Sequence, residues 1–307
     1  MRSRTRSVLA AAIAMLGLVC AGAAFGADEA AAWAACQAQS GPANLDQLVD
    51  SCGSGGCPGQ SGAVTLDQVI AGCSVIIASP TQTKLRRVLA AYQRGAAHAL
   101  QGQPSMAIAD FSLAISIAPG FAEAYAARAA AHDAMNDWTR AISDDSHAIH
   151  LRPDLVRAYI GRANAYYQAG DLDRAISDAT QALTLKPNNP VALNERCWIR
   201  AASGRDLSAA LADCNAAVTL TSGAAEMLDS RGLVELKLKD DRAAVADYDA
   251  SLKANASVRD LRASSLYGRG LARIALGDHG GGQADLAAAE ALAPDVGRTY
   301  AKLGLTP

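Results

Sequence analysis

The sequence has few aromatic side chains and almost no excess of charge of either sign. Phe, Trp and Tyr make up 5% of its 307 residues, and the formal net charge is -2 at pH 7. A charge this small argues against the strong positive potential with which proteins bind nucleic acid or anionic membranes. Half of the residues are apolar, and alanine is the most frequent of them. Because Ala is the best helix former and lets helices approach closely, we predict an all-α protein.

Long hydrophobic runs are absent after the first 26 residues. Residues 1–26 hold three arginines, then an uncharged run, and end in Ala24-Phe25-Gly26, a pattern that signal peptidase accepts. No later segment approaches the ~20 consecutive apolar residues that span a bilayer. We therefore predict a secretory signal peptide, no membrane span, and a periplasmic or secreted protein of a Gram-negative bacterium. In an alternative interpretation Cys20 is lipidated and the protein is an outer-membrane lipoprotein.

From about residue 88 the sequence repeats itself with a period of 34 residues. The segment YQRGAAHALQGQPSMAIADFSLAISIAPGF shows the unit: a helix of small residues, a turn with Gly, a second helix and a Pro. An Arg recurs in each unit, and an Asp follows it 16 or 17 residues later. Because every Arg has its own Asp, we predict ion pairs that set the register of the helices. The six pairs are Arg94 with Asp110, Arg128 with Asp144, Arg162 with Asp178, Arg196 with Asp213, Arg231 with Asp247 and Arg269 with Asp285.

These units resemble the tetratricopeptide repeat over residues 88–296. The small residue after each Arg, the Ala that opens most of the second helices and the closing prolines match the pattern of that family. The resemblance implies a right-handed superhelical solenoid of about six helix-turn-helix repeats. We divide the chain into a signal peptide (1–26), a cysteine-containing helical segment (27–83), the repeats (84–296) and a capping helix with a tail (297–307).

The resemblance also implies how such a protein binds its partners. Members of the family bind on the concave face, which is lined by the first helices of the repeats. A Trp and a Tyr beside amides that bond a peptide backbone are typical of a recognition patch, although ordinary half-exposed helix residues would look the same. The positions carried over to this sequence are Arg157, Ile160, Asn164, Tyr167, Asn194 and Trp198.

Motifs of common catalytic sites are absent: there is no Gly-x-Ser-x-Gly, no phosphate-binding loop and no His-Glu-x-x-His. His98 and His132 occupy the repeat position of Tyr166, which indicates packing in the core. His147 and His150 lie three residues apart on one predicted helix, and no third metal ligand is evident. We predict that the protein is not an enzyme and binds no metal or cofactor.

Four cysteines, namely Cys36, Cys52, Cys57 and Cys73, lie before the repeats. The segment TLDQVIAGC predicts a helix that is capped by Thr65 and ends in a cysteine. In SCGSGGCPGQSG two cysteines are separated by four residues, whereas a redox pair usually has two between them and a zinc site needs further Cys or His ligands. We favour structural disulfides, with Cys52 joined to Cys57 and Cys36 to Cys73, and two other connectivities stay open.

The repeats hold two more cysteines, Cys197 and Cys214. In the geometry of the repeat family these positions face each other across one hairpin, which implies a third disulfide. The leading hypothesis for function is a non-enzymatic periplasmic scaffold or adaptor that binds a protein or an extended peptide in the concave groove. The alternatives are an envelope thiol or redox factor that uses Cys52 and Cys57, and a lipoprotein that organises cell-wall enzymes.

Overall fold

A computed structural model of the chain describes residues 65–254 and 258–307, and within them the protein has fourteen α-helices and no strand. The predicted all-α class is confirmed. Residues 1–26 and three of the predicted disulfide cysteines, Cys36, Cys52 and Cys57, lie outside the described residues. The helices are α1 (Leu66–Ala78), α2 (Lys84–Leu100), α3 (Pro104–Ile117), α4 (Ala122–Ala134), α5 (Trp138–Leu151), α6 (Val156–Gln168), α7 (Leu172–Leu185), α8 (Pro190–Ser203), α9 (Leu207–Leu220), α10 (Ala225–Leu238), α11 (Asp241–Ala254), α12 (Arg259–Ala275), α13 (His279–Leu292) and α14 (Val296–Lys302).

The described residues form two compact units. The first unit comprises residues 65–169 and helices α1 to α6, and the second comprises residues 170–254 with 258–307 and helices α7 to α14. The helix pairs α2–α3 and α4–α5 form hairpins in the first unit, and α8–α9, α10–α11 and α12–α13 do so in the second. Within each unit every hairpin packs against the next helix along the chain, which is the stacking of a helical repeat protein. No described helix is both long and apolar enough to cross a bilayer.

Aspartates fix the start of the second helix in five of the repeats. Each carboxylate accepts a hydrogen bond from the backbone N–H three residues later, as an N-cap does. These aspartates are Asp137, Asp171, Asp206, Asp240 and Asp278. In the first repeat α3 begins instead with Pro104, whose missing N–H costs nothing at a helix start. The predicted cap at Thr65 is confirmed, because Thr65 and Gln68 form a capping box at the start of α1.

Small residues let the two helices of a hairpin approach each other closely. A Cβ atom at Gly95 would lie 2.8 Å from Cε1 of Phe111, which is fully buried on the facing helix. At Gly270 and Gly282 the contact is between backbones, since a Cβ at Gly282 would lie 2.8 Å from the carbonyl oxygen of Gly270. The small residue that follows each arginine in the repeat is therefore a packing requirement at these crossings.

The predicted Arg–Asp pairs join the two helices of their own repeat. In five of the six pairs Nε and Nη2 of the Arg donate to the carboxylate, with N···O distances of 2.5 to 3.0 Å. The Arg side chains are about one-fifth exposed and the Asp side chains are nearly buried. The sixth pair, Arg162 with Asp178, has one member in each unit.

A further bond of each arginine, which the sequence analysis did not predict, reaches the preceding helix along the chain. Nη1 of Arg128 donates to Ser112 Oγ at 3.0 Å, and Nη1 of Arg231 donates to Asn215 Oδ1 at 3.0 Å. From the second repeat onward the acceptor lies two residues after the Asp of the preceding repeat, where the sequence has a Ser, Thr, Asn or Asp. Each guanidinium therefore ties its own helix to the preceding one. The remaining contacts of this kind join Arg94 to Ser74, Arg162 to Ser146, Arg196 to Thr180 and Arg269 to Asp249.

We expect Asp110→Ala to lower the free energy of unfolding by about 2 kcal/mol, because Arg94 loses its carboxylate but stays largely buried. Urea denaturation followed by circular dichroism measures the loss. The double variant Arg94→Leu/Asp110→Leu should recover much of it, since no unpaired charge remains. An unchanged urea midpoint in Asp110→Ala would contradict the structural role of the pair.

Candidate functional site

The residues predicted to recognise a partner are divided between the two units. Arg157, Ile160, Asn164 and Tyr167 lie on α6 in the first unit, and Asn194 and Trp198 lie on α8 in the second. Ile160 is buried and Tyr167 is half-buried. The two sets are considered separately below.

In the first unit Arg157 holds three first helices together. Its Nη1 donates to the hydroxyl of Tyr92 on α2 at 3.3 Å, and its Nη2 donates to the carbonyl oxygen of Glu123 on α4 at 2.8 Å. Arg157 and Tyr92 are 65 residues apart in the sequence. Two of the terminal donors of this guanidinium are therefore engaged inside the unit, which makes Arg157 a structural tie between repeats.

Asn164 is also engaged internally. Its side chain is buried, its Nδ2 donates to Oδ2 of Asp133 on α4 at 2.9 Å, and its Oδ1 accepts from Nε2 of Gln168 at 3.5 Å. An external peptide would have to displace Asp133 to bond this amide. Arg157 and Asn164 thus join neighbouring first helices, a use of these residues that the sequence pattern did not indicate.

The second unit places Asn194 and Trp198 one turn apart on α8, and we call these two residues the α8 patch. Asn189 fixes the start of α8 because its Oδ1 accepts from the backbone N–H of Ala192 at 2.9 Å. Both patch residues are half-buried, and the Trp198 ring packs against the hydrophobic core of the second unit. The Oδ1 atom of Asn194 is buried and has no hydrogen-bond partner among the described residues. A buried acceptor without a donor is costly, so rotation of the Asn194 amide that turns this oxygen toward an incoming N–H group is favoured.

A disulfide holds the helix that carries this patch. Cys197, next to Trp198, is bonded to Cys214 of α9 with a Cα–Cα distance of 5.6 Å, and both side chains are fully buried. This is the bond that the repeat geometry implied, and its burial makes it inaccessible to thiol exchange. Cys73 of α1 is likewise fully buried and disulfide-bonded.

Burial shifts the pKa values of two titratable side chains in the first unit, Asp145 and His132. The pKa of Asp145 lies well above its usual range because the carboxyl is buried and Arg157 offsets this only in part. Burial lowers the pKa of His132, which lies in the core together with His98, as predicted. The exposed pair His147 and His150 has its ring centroids 6.4 Å apart. No three His, Cys, Asp or Glu side chains in the described ranges come together in a way that could hold a metal ion.

A cavity of about 440 Å³ lies between α3, α4 and α5 in the first unit. Its two most buried charges neutralise each other, because Arg128 donates two hydrogen bonds to Asp144 and its third to Ser112. Arg128 and Asp144 therefore present no unpaired charge to the cavity. It is lined by Ile108, Ser112, Arg128, His132, Arg140, Ser143 and Asp144.

The comparisons with known proteins agree with this repeat architecture. The profile of the tetratricopeptide repeat family matches residues 156–189. A chain of the APC/C hetero-tetramer Cut9–Hcn1 has a similar structure with a TM-score of 0.62 and 15% identity; the similarity covers 91% of this chain and 63% of that one. This chain thus spans less than two thirds of the length of that protein. No curated protein sequence matches this chain.

Two bacterial structures are also similar. A tetratricopeptide repeat protein from Parabacteroides merdae has a TM-score of 0.60 and 15% identity, with 78% of this chain and 91% of that chain covered. The pilF protein of Pseudomonas aeruginosa has a TM-score of 0.57 and 16% identity, with 71% and 99% covered. At these identities the likeness shows a common fold of stacked helical hairpins.

Proposed function

We propose that this tetratricopeptide repeat protein is a non-enzymatic scaffold or adaptor of the bacterial envelope. It binds a protein partner through an extended segment of that partner. The repeat fold supports an interaction role, because it presents rows of first-helix side chains on a rigid stack of hairpins. The similar chain from the Cut9–Hcn1 structure belongs to a hetero-tetramer, which agrees with such a role.

The α8 patch is our candidate for the binding site. The observation that carries this assignment is the buried Oδ1 of Asn194, which lacks a donor and lies one turn from the half-buried ring of Trp198. An extended peptide supplies both complements: a main-chain N–H for the amide oxygen and an apolar side chain for the indole ring. Arg157 and Asn164 have a smaller part in this proposal, because their polar groups are engaged within the first unit.

The envelope location rests on two observations. Residues 1–26 have the order of charges, apolar run and small residues that export signals have. The bond between Cys197 and Cys214 is of the kind that persists in oxidising compartments such as the periplasm. Both observations support export of the protein.

The test compares wild-type protein with Asn194→Ala/Trp198→Ala in capturing partners from an extract of the native envelope. Loss of the backbone acceptor and the ring should weaken the capture of a specific partner at least about tenfold. Asn188→Ala, an exposed amide outside the patch, should bind like the wild type. Titration of the captured partner against the three purified proteins gives the affinities, and circular dichroism checks that the variants fold. Equal affinity of all three would show that the α8 patch is not the binding site.

A further inference from the structure

In several repeats a second side chain faces the aspartate of the Arg–Asp pair, four residues after the Arg. Nη1 of Arg200 donates to Asp213 Oδ2 at 2.7 Å, and Nη1 of Arg273 donates to Asp285 Oδ2 at 2.9 Å. In the first two repeats the position holds His98 and His132, whose Nε2 atoms lie 3.7 and 3.9 Å from the nearest oxygen of Asp110 and Asp144. This position therefore places a cationic or neutral nitrogen group near the buried carboxylate.

The fifth repeat reverses the charge at this position. Its residue is Glu235, and Oε1 of Glu235 lies 3.8 Å from Nε of Arg231. Asp247 already accepts from Nε and Nη2 of Arg231 at 2.5 and 2.6 Å, and Asn215 accepts from Nη1. One guanidinium thus faces two carboxyl groups, and three of its five N–H donors, including Nε–H, are taken by Asp247 and Asn215. The second oxygen of Glu235, Oε2, is buried without a hydrogen-bond partner among the described residues.

The groups around Glu235 disfavour a second negative charge. From α11 it faces the carboxylate of Asp247 and the ring of Tyr248, and Asp240 lies in the turn between α10 and α11. Arg231, on its own helix, is the cation that acts on it.

The other helices that pack on α10 bring cations that are already paired. Arg200 on α8 is held by Asp213. On α12, Arg269 is held by Asp249 and Asp285, and Arg273 by Asp285. From α9 the group that approaches is Asn215, which is uncharged and bonds Arg231.

Burial is the largest cause that raises the pKa of Glu235 to about 8, and the neighbouring charge of Asp247 is the next. In an opened hairpin the carboxyl returns to its ordinary pKa near 4.5. Between these two values the folded repeat keeps a proton that the opened repeat has lost, so stability falls as the pH rises. Above a pH of about 8 both states are ionised, and the dependence on this group ends.

We propose that the α10–α11 hairpin is a pH-sensitive element of the second unit. It closes with a protonated Glu235 and loosens when Glu235 ionises beside Asp247. The device is independent of the proposed binding activity, because it rests on the contacts within one hairpin.

Hydrogen exchange of the full-length chain, read by mass spectrometry at pH 6, 7, 8 and 9 and corrected for intrinsic rates, tests the proposal. Protection factors of α10 and α11 should fall by up to about fifty-fold between pH 6 and 8, given the two pKa values. Glu235→Gln keeps the shape of the protonated acid, so its protection should stay constant over this range. Glu226→Gln removes the same charge from the first turn of α10 and should keep the wild-type dependence.

The size of the fall in protection and its response to the Gln variant decide the proposal. A fall of about fivefold or more that disappears in Glu235→Gln supports the element. A smaller fall, or one that persists in the Gln variant, overturns it. Glu235→Arg, which places here the side chain that Arg200 and Arg273 supply in their own repeats, provides a second check: its protection at pH 8 should exceed that of the wild type. Equal or lower protection in Glu235→Arg at pH 8 would also overturn the proposal.

Discussion

Replacing Cys197 and Cys214 together by alanine is expected to lower the free energy of unfolding of the second unit by about 3 kcal/mol. The disulfide closes a loop between residues 17 apart, so its removal restores freedom to the unfolded chain. Both sulfur atoms are also fully buried, so alanine leaves unfilled volume at the crossing of α8 and α9. Urea denaturation of the exported, oxidised protein, followed by circular dichroism, measures the difference.

Two controls assign this loss to the bond. Cys197→Ala alone also breaks the disulfide, so it should lose nearly as much stability as the double variant. Adding a reductant to the folded wild-type protein should have little effect over minutes, since the bond is inaccessible to thiols. A double variant within about 1 kcal/mol of the wild type would show that helix packing alone holds the α8–α9 hairpin.

The periodic features were predictable because each recurs within one repeat. The 34-residue spacing predicts the helical hairpins, and Arg with Asp at 16 or 17 residues predicts pairs across a hairpin. The bond of Cys197 with Cys214 follows from the same local geometry once the repeat is recognised. The N-cap at Thr65 needs only three neighbouring residues. In all these cases the partners are close in the sequence, so the spacing of residue types contains the information.

Contacts between repeats could not be predicted in this way. The hydrogen bond of Arg157 to Tyr92 joins two helices with a whole repeat between them, and its formation depends on how three first helices stack. The bond of an arginine to the preceding repeat had a weak signal from the second repeat onward, namely the polar residue two positions after the preceding Asp. Glu235 looks like any helical acid in the sequence, and only the structure shows that it is buried beside Asp247.

The candidate site was predictable as a set of repeat positions but not as a functional surface. Positions carried over from a repeat family are equivalent within the repeat. Whether their polar atoms can bind a partner depends on the neighbouring side chains. Asn164 and Asn194 were singled out for the same reason, yet the first bonds Asp133 and the second has an oxygen with no donor. That difference is the physical basis for centring the binding proposal on the α8 patch.

Tight packing around Tyr248 in the second unit predicts an equally large effect for a single added methyl group. In Gly268→Ala the new Cβ would lie 2.3 Å from Cζ and 2.5 Å from the hydroxyl oxygen of Tyr248. The fully buried ring of Tyr248 has little room to move, because Gly232 on α10 also packs tightly against it. We therefore expect a loss of about 3 kcal/mol in the free energy of unfolding, measured by urea denaturation.

Gly280→Ala is the matched control, since a Cβ at this position of α13 would meet no atom within 4 Å. There the substitution should stabilise the protein by about 0.5 kcal/mol, because Ala favours the helix over Gly. Adding Tyr248→Leu to Gly268→Ala should recover part of the loss, as the smaller side chain makes room for the methyl group. If Gly268→Ala were as stable as Gly280→Ala, this would contradict tight packing of Tyr248 between α10 and α12.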